Sequence, residues 1–262
     1  MTAHLIGVVG LPGDGKSYFA RSARALGKTA IALTDPKELS FYGTDGVTLF
    51  SDFDWRPHLA SWNATAMIDL LKWMDAQAKS DAEYVVVDTG SEVSDLARHE
   101  VLKMHATDNL MDVGYGKAHA AHDGQMKALI NEARRLVVRG KTVIMTFHAA
   151  LKEMEGQGEA KKTKGMTGEM EFSFDEQMLP ALNTKYRAQI HGAFDLWLYT
   201  KPMGFGAARK YFVTAQADMV RPAKHSVNFK AGTNLAMIPN DLTTLLGAIV
   251  EPAAAAPPAK QS

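Results

Sequence analysis

The chain has 262 residues, 46% of them apolar, with 29 Lys and Arg against 29 Asp and Glu for a net charge of zero. That is ample to bury a core, and the balance speaks against a strongly basic, whole-surface nucleic-acid binder. The absence of Cys excludes disulfide frameworks, thiolate zinc sites, iron–sulfur clusters and a Cys nucleophile.

The first element is the apolar run Leu5-Ile6-Gly7-Val8-Val9, which leads into a glycine-rich turn. A helix over Ser17 to Leu26 follows that turn. Further short strands are predicted at Thr29 to Leu33, Val47 to Phe50, Tyr84 to Val87 and Thr142 to Phe147. They are continuous apolar runs without alternation, the pattern of strands buried on both faces. Between them, Leu59 to Ala78 has helical spacing. Asp123 reads as the cap of a helix whose Met126, Leu129, Ile130, Ala133, Leu136 and Val137 share one face, with Gly140 as its stop. Strands alternating with helices predict a mainly parallel α/β sheet flanked by helices.

Beyond His148 the texture changes. Residues 152–170 are rich in Lys, Glu and Gly and read as a mobile loop. Phe194 to Tyr199 and Tyr211 to Thr214 read as an antiparallel pair around Gly204-Phe205-Gly206, which adds a C-terminal antiparallel extension. Asp241 to Val250 reads as a closing helix. One domain over residues 1–250 and a disordered tail over 251–262 are expected. No run reaches the ~20 apolar residues of a membrane span. The N-terminus lacks the basic flank and apolar stretch of a signal peptide. The expectation is therefore a cytoplasmic protein with no membrane partner.

Gly10-Leu11-Pro12-Gly13-Asp14-Gly15-Lys16-Ser17 satisfies G-x-x-x-x-G-K-[S/T] between a strand and a helix. Glycines at Gly10, Gly13 and Gly15 let backbone N–H groups, including that of Asp14, curl around a phosphate. Lys16 reaches the β- and γ-phosphates, and the Ser17 hydroxyl coordinates Mg²⁺. Tyr84-Val85-Val86-Val87-Asp88 supplies the second half, an acid at the end of a buried strand that completes the metal site. ATP and Mg²⁺ are the expected cofactors.

Several branches of phosphate-loop proteins lack their marks here. There is no N-K-x-D motif and no L-S-G-G-Q, Ser91 stands where D-x-x-G needs Gly, and Thr89 rather than Glu follows Asp88. The 152–170 loop has Lys but no Arg, which lowers the small-molecule kinase reading without removing it.

The phosphate loop, Val85-Val86-Val87-Asp88-Thr89-Gly90-Ser91-Glu92, Tyr115-Gly116-Lys117-Ala118 and Val143-Ile144-Met145-Thr146-Phe147-His148 together resemble phage-encoded RecA-like ATPases. These include the Sak-type single-strand annealing and recombination proteins, often called AAA-domain ATP-binding proteins. The resemblance covers about residues 4–250. It implies a RecA-like P-loop NTPase fold, ATP hydrolysis, action on single-stranded DNA in phage recombination in the host cytoplasm, and assembly into a ring or filament. A single-strand binding protein is a candidate further partner.

Residue by residue, the resemblance places His148 as the γ-phosphate sensor at the end of the strand beside that of Asp88. It also requires a carboxylate to orient the attacking water, for which Glu38 and Glu92 stand equally. The chain reads Thr34-Asp35-Pro36-Lys37-Glu38 where the family usually has an Asp-Thr-Glu-Gly turn, so that choice stays open. Lys224, with Arg221 as the alternative, matches a basic residue that relatives project into a neighbour's ATP site. Lys161, Lys162 and Lys164 lie where RecA-like proteins hold single strands, and Phe172 and Phe174 nearby suit such binding.

Residues 185–230 carry eight Lys and Arg against Asp195 and Asp218, so this stretch is +6 and the remainder −6. That asymmetry marks either a phosphate-binding face or a strand edge guarded by Lys. A nucleotide or small-molecule kinase, and an ATP-dependent assembly or packaging factor without DNA affinity, remain the alternative functions.

Overall fold

In the computed structural model, residues 2–35, 38–50, 66–107, 110–114, 116–153, 176–182 and 184–251 are described. The chain begins in β1 (Leu5–Gly10), turns through the glycine-rich loop into α1 (Lys16–Arg21), and continues through a 3₁₀ turn at Ser22–Ala25 to β2 (Thr29–Leu33). Next come α2 (Leu39–Tyr42), β3 (Val47–Leu49), α3 (Ala66–Gln77), β4 (Tyr84–Asp88), α4 (Gly90–Met104), α5 (Lys117–Val138) and β5 (Thr142–Glu153). The last third holds β6 (Glu176–Pro180), α6 (Thr184–Ala193), β7 (Leu196–Met203), β8 (Lys210–Thr214), β9 (Lys224–His225), β10 (Ile238–Pro239) and α7 (Leu242–Ala248).

The main sheet runs β10-β8-β7-β1-β5-β4-β2-β3. From β7 to β3 every pairing is parallel, and β8, β9 and β10 add antiparallel edges at the C-terminal side. This is the expected α/β fold with its antiparallel extension. One strand, β5, separates the phosphate-loop strand from the strand that ends in Asp88.

Both faces of the sheet are apolar, which explains the missing alternation in the sequence. In β1, Leu5 and Val9 pack with helices α3, α4 and α5 on one face, while Ile6 and Val8 pack with α1 and α7 on the other. Gly7 is fixed by a close approach: a Cβ there would collide with the indole of Trp197, its register partner on β7. Trp197 is fully buried and lies 5.1 Å from Phe147 and 4.9 Å from Phe194, ring centre to ring centre. Trp197→Ala is therefore expected to cost about 3–5 kcal/mol, read as a fall in the guanidinium unfolding midpoint. A loss below about 1 kcal/mol would show that this aromatic cluster does not anchor the sheet.

The structure corrects several element boundaries. Asp123 does not cap a helix; α5 opens at Lys117 behind Gly116, whose φ of 87° only glycine adopts freely, and Asp123 sits inside it. The first helix is shorter than Ser17–Leu26 implied, since its second half tightens to 3₁₀ at Ser22–Ala25. Of the helix read over 59–78, residues 59–65 lie outside the described residues and the rest is α3. Strand β5 runs past Phe147 to Glu153, two residues into the stretch read as a loop, because its far half pairs antiparallel with β6. Residues 154–170, and the tail from 252, lie outside the described residues.

Helix α4 has no counterpart in the sequence reading, although its signals are in the chain. Thr89 caps it, accepting from Ser91 N at 3.1 Å, and Glu92 follows at capping-box spacing. Val93, Ala97 and Val101 then form a buried stripe with a four-residue period. Among the described residues, no helix is long and apolar enough to cross a membrane.

Candidate functional site

The C-terminal ends of β1, β4 and β5 and the start of α1 enclose a cleft of about 630 Å³, lined by Gly13, Gly15, Lys16, Ser17, Glu38, Asp88 and His148 among others. A crevice at the carboxyl ends of parallel strands is where open α/β sheets bind ligands. The loop between β1 and α1 is shaped by glycine. Gly13 and Gly15 have φ of 78° and 87°, a region that costs other residues strain. Space makes the same demand at Gly15. A Cβ there would lie 2.7 Å from Asn240 Nδ2 and 3.1 Å from the Tyr211 ring. Asn240 Nδ2 donates to the Gly15 carbonyl at 2.9 Å, so the chain before α7 holds the loop from outside.

Lys16 is 6% exposed and its Nζ donates to the Leu11 carbonyl at 2.9 Å. Burial pulls its pKa down, while the charges of Asp88, Asp14 and Glu38 push it back up. Its ammonium is thus aimed into the loop and surrounded by acids, a position from which it can pair with phosphate oxygens.

Asp88 closes β4 and is 1% exposed. Its Oδ2 accepts from the Tyr42 hydroxyl at 2.7 Å, and its Oδ1 accepts from the Thr146 hydroxyl. The Tyr42 oxygen also lies 3.2 Å from the Ser17 carbonyl oxygen. Burial, followed by the Asp88 charge, raises the Tyr42 phenol well above its ordinary value and keeps it a donor. Tyr42 and Thr146 were missed in the sequence. Thr146 had a signal, as the polar residue inside the apolar run of β5; Tyr42 had none, because its reach to Asp88 depends on how α2 folds back.

Glu38 precedes α2 and is half-buried. Burial raises its pKa first, then the Asp88 and Asp35 charges, against a hydrogen bond from the Ser17 side chain and the charge of Lys16. One carboxylate is thereby hydrogen-bonded to the hydroxyl expected to hold the metal. Glu92 lies in the first turn of α4 and does not line the cleft. His148, in register with Gly10 across β1 and β5, does line it. Its backbone N–H donates to Ser91 Oγ at 2.9 Å, and its buried Nδ1 has no hydrogen-bond partner among the described residues. Burial and then the charge of Lys16 lower its pKa, which favours the neutral ring.

The donor set suits a magnesium nucleotide. Magnesium keeps several waters and takes one or two protein carboxylates plus phosphate oxygens. The cleft offers Asp88 and the Ser17 hydroxyl, and among the described residues no group of three or more His, Asp or Glu forms a complete metal cage. Asp88 and Ser17 would hold the ion, and Lys16 with the loop amides the phosphates. When bound, the ion supplies charge that neutralises the phosphate oxygens during transfer. Glu38 can then hold a water proton at its carboxylate, and the His148 ring can meet a terminal phosphate oxygen.

The remaining expected residues are not gathered here. Lys224 lies in β9, where its Nζ donates to the His191 carbonyl at 2.9 Å, and Arg221 lies 3.4 Å from Asp218. Neither lines this cleft. Lys161, Lys162, Lys164, Phe172 and Phe174 lie outside the described residues. The +6 stretch is spread out: Lys230 Nζ donates to the Gly247 carbonyl, Arg209 pairs with Asp14, and Lys201 and Lys210 lie on the β7–β8 hairpin.

No curated protein matches the sequence. Among solved structures, the chain is similar to the flagellar accessory protein FlaH of Methanocaldococcus jannaschii and to a KaiC-like protein of Pyrococcus horikoshii OT3. Each is 12% identical with a TM-score of 0.40, over 89% of this chain and 88% of the other. The sequence model of the AAA domain matches residues 3–227, which spans the phosphate loop, Asp88 and His148. The chain therefore belongs to the AAA-domain family of phosphate-loop ATPases.

Proposed function

We propose that the protein hydrolyses Mg·ATP and uses the cycle to act on single-stranded DNA, in the manner of the phage recombination and annealing ATPases that its motifs resemble. The observation that carries the DNA half is the route of the chain from the cleft. Strand β5 carries His148 to the cleft, then continues as an antiparallel ribbon with β6, from Ala149 opposite Pro180 to Glu153 opposite Glu176. The residues that join the two strands of this ribbon include Lys161, Lys162 and Lys164. A strand of DNA held by those lysines would be linked to the nucleotide through five paired residues and His148.

In this reading, Lys224 or Arg221 serves a neighbouring subunit, which makes turnover depend on a homo-oligomer. The cation would stabilise charge on the γ-phosphate of the adjoining site. A single-strand binding protein is a candidate to present the DNA.

The test is ATP turnover with and without single-stranded DNA at two salt concentrations. Stimulation by DNA that weakens at high salt is expected, since lysine–phosphate contacts release counterions. Replacing Lys161, Lys162 and Lys164 together by Ala should weaken DNA binding at least tenfold without changing DNA-free turnover. Absence of both stimulation and salt-sensitive binding would remove the DNA reading. Phosphate transfer to an added nucleoside monophosphate would then favour a kinase, and ATP-dependent assembly alone would favour a packaging or assembly factor.

A further inference from the structure

The phosphate loop carries an acid whose side chain is held behind the cleft, against β7 and the turn before β8. Asp14 stands between the two left-handed glycines and is 5% exposed. Its Oδ2 accepts from Leu11 N at 3.2 Å and lies 3.4 Å from Thr200 Oγ1, and its Oδ1 accepts from Arg209 Nη2 at 3.1 Å. Arg209 enters from the turn before β8, and its guanidinium also lies 5.2 Å from the centre of the Tyr211 ring. Tyr211 in turn flanks Gly15. Burial pushes the Asp14 carboxyl up, opposed by the Leu11 amide and the Arg209 charge.

Two effects follow from this geometry. The Asp14 carboxylate ties back to Leu11 N within the loop, and an uncompensated charge there, between two glycines that line the cleft, would repel a nucleotide carrying several negative charges. The pair is partly buried, so water and salt screen it less than an exposed pair. We propose that Arg209 is a positioning residue of the nucleotide site: by compensating and holding Asp14, it lets the β7–β8 hairpin set the affinity of the phosphate loop. The hairpin is then a control element in cis, separate from any basic residue that a neighbouring subunit supplies. This inference rests on the reading of the loop as a nucleotide site.

Titration with a fluorescent ATP analogue in the presence of Mg²⁺ tests it, together with steady-state turnover. Arg209→Ala is expected to weaken binding about tenfold, equivalent to about 1.4 kcal/mol, and to raise KM while leaving kcat within about threefold. Arg209→Lys restores the charge and should recover most of the affinity, whereas Arg209→Gln should not. In an Asp14→Asn background the Arg209→Ala loss should shrink below about twofold, because no charge is left to compensate.

Wild-type protein that fails to bind nucleotide would sink the reading of the site itself. Wild-type binding with an unaffected Arg209→Ala variant would overturn the present inference alone. So would an undiminished loss in the Asp14→Asn background, which would put Arg209 on the nucleotide directly. If Asp14→Asn does not fold, the Arg209 series decides: Lys no better than Gln rejects charge compensation.

Discussion

Lys16→Ala is expected to abolish measurable ATP turnover, with a loss of about 10²–10³ or more in kcat. The lysine is the one cation shown inside the loop, and three acids, Asp14, Asp88 and Glu38, act on it electrostatically. Removing it leaves Asp88 and Glu38, which line the cleft, without that counter-charge beside the phosphates, so nucleotide binding should weaken as well. The fold should survive, because Lys16 lies outside the two apolar clusters on either face of the sheet. Far-UV circular dichroism and a melting curve give the control, and phosphate release gives the rate. Turnover at the wild-type rate in a folded variant would overturn the site assignment.

The parts of this site that were legible in the sequence are those in which one local segment does the whole job. The phosphate loop needs consecutive amides and a lysine within a few residues, and Gly10 to Ser17 contains them. Asp88 ends a strand whose five residues are all buried, so its place at the carboxyl end of a central strand followed from the run before it. The mainly parallel sheet was legible for the same reason, because each strand is a short apolar run.

What was not legible depends on distant segments meeting. Asp14 and Arg209 are separated by 195 residues, and Gly15 and Asn240 by 225. Neither pair has a spacing rule. The Tyr42 contact to Asp88 requires α2 to fold back against α1, and nothing in Leu39 to Tyr42 encodes that alone. Helix α4 is a different case: Thr89, Glu92 and the Val93, Ala97, Val101 stripe are local signals, but the stripe is only three residues long and is set among polar and charged neighbours. Asp123 misled because a good capping residue inside a helix looks the same as one at its start when Gly116 is the true boundary.

Glu38→Gln is expected to lower kcat by about 10²–10⁴ while leaving nucleotide affinity within about threefold. The sequence left Glu38 and Glu92 level as the water-orienting carboxylate, and geometry separates them. Glu38 lines the cleft, interacts with the Ser17 side chain and feels the charges of Asp88 and Lys16. Glu92 sits at the third position of α4, where capping chemistry gives a carboxylate a structural use. Glu92→Gln should therefore keep kcat within about threefold and show its effect, if any, in thermal stability.

The pH profile adds an independent reading. A base must be ionised to work, so if Glu38 is the base, kcat/KM, which reports groups of the free enzyme, should fall as pH drops through the Glu38 pKa. Burial and the neighbouring Asp88 and Asp35 charges raise that pKa, placing the acid limb above the ordinary glutamate value of about 4.3. In Glu38→Gln the limb should vanish along with most of the rate. A large loss in Glu92→Gln with turnover intact in Glu38→Gln would move the base to the first turn of α4. It would leave the Ser17–Glu38 contact as a resting-state clasp on the metal ligand.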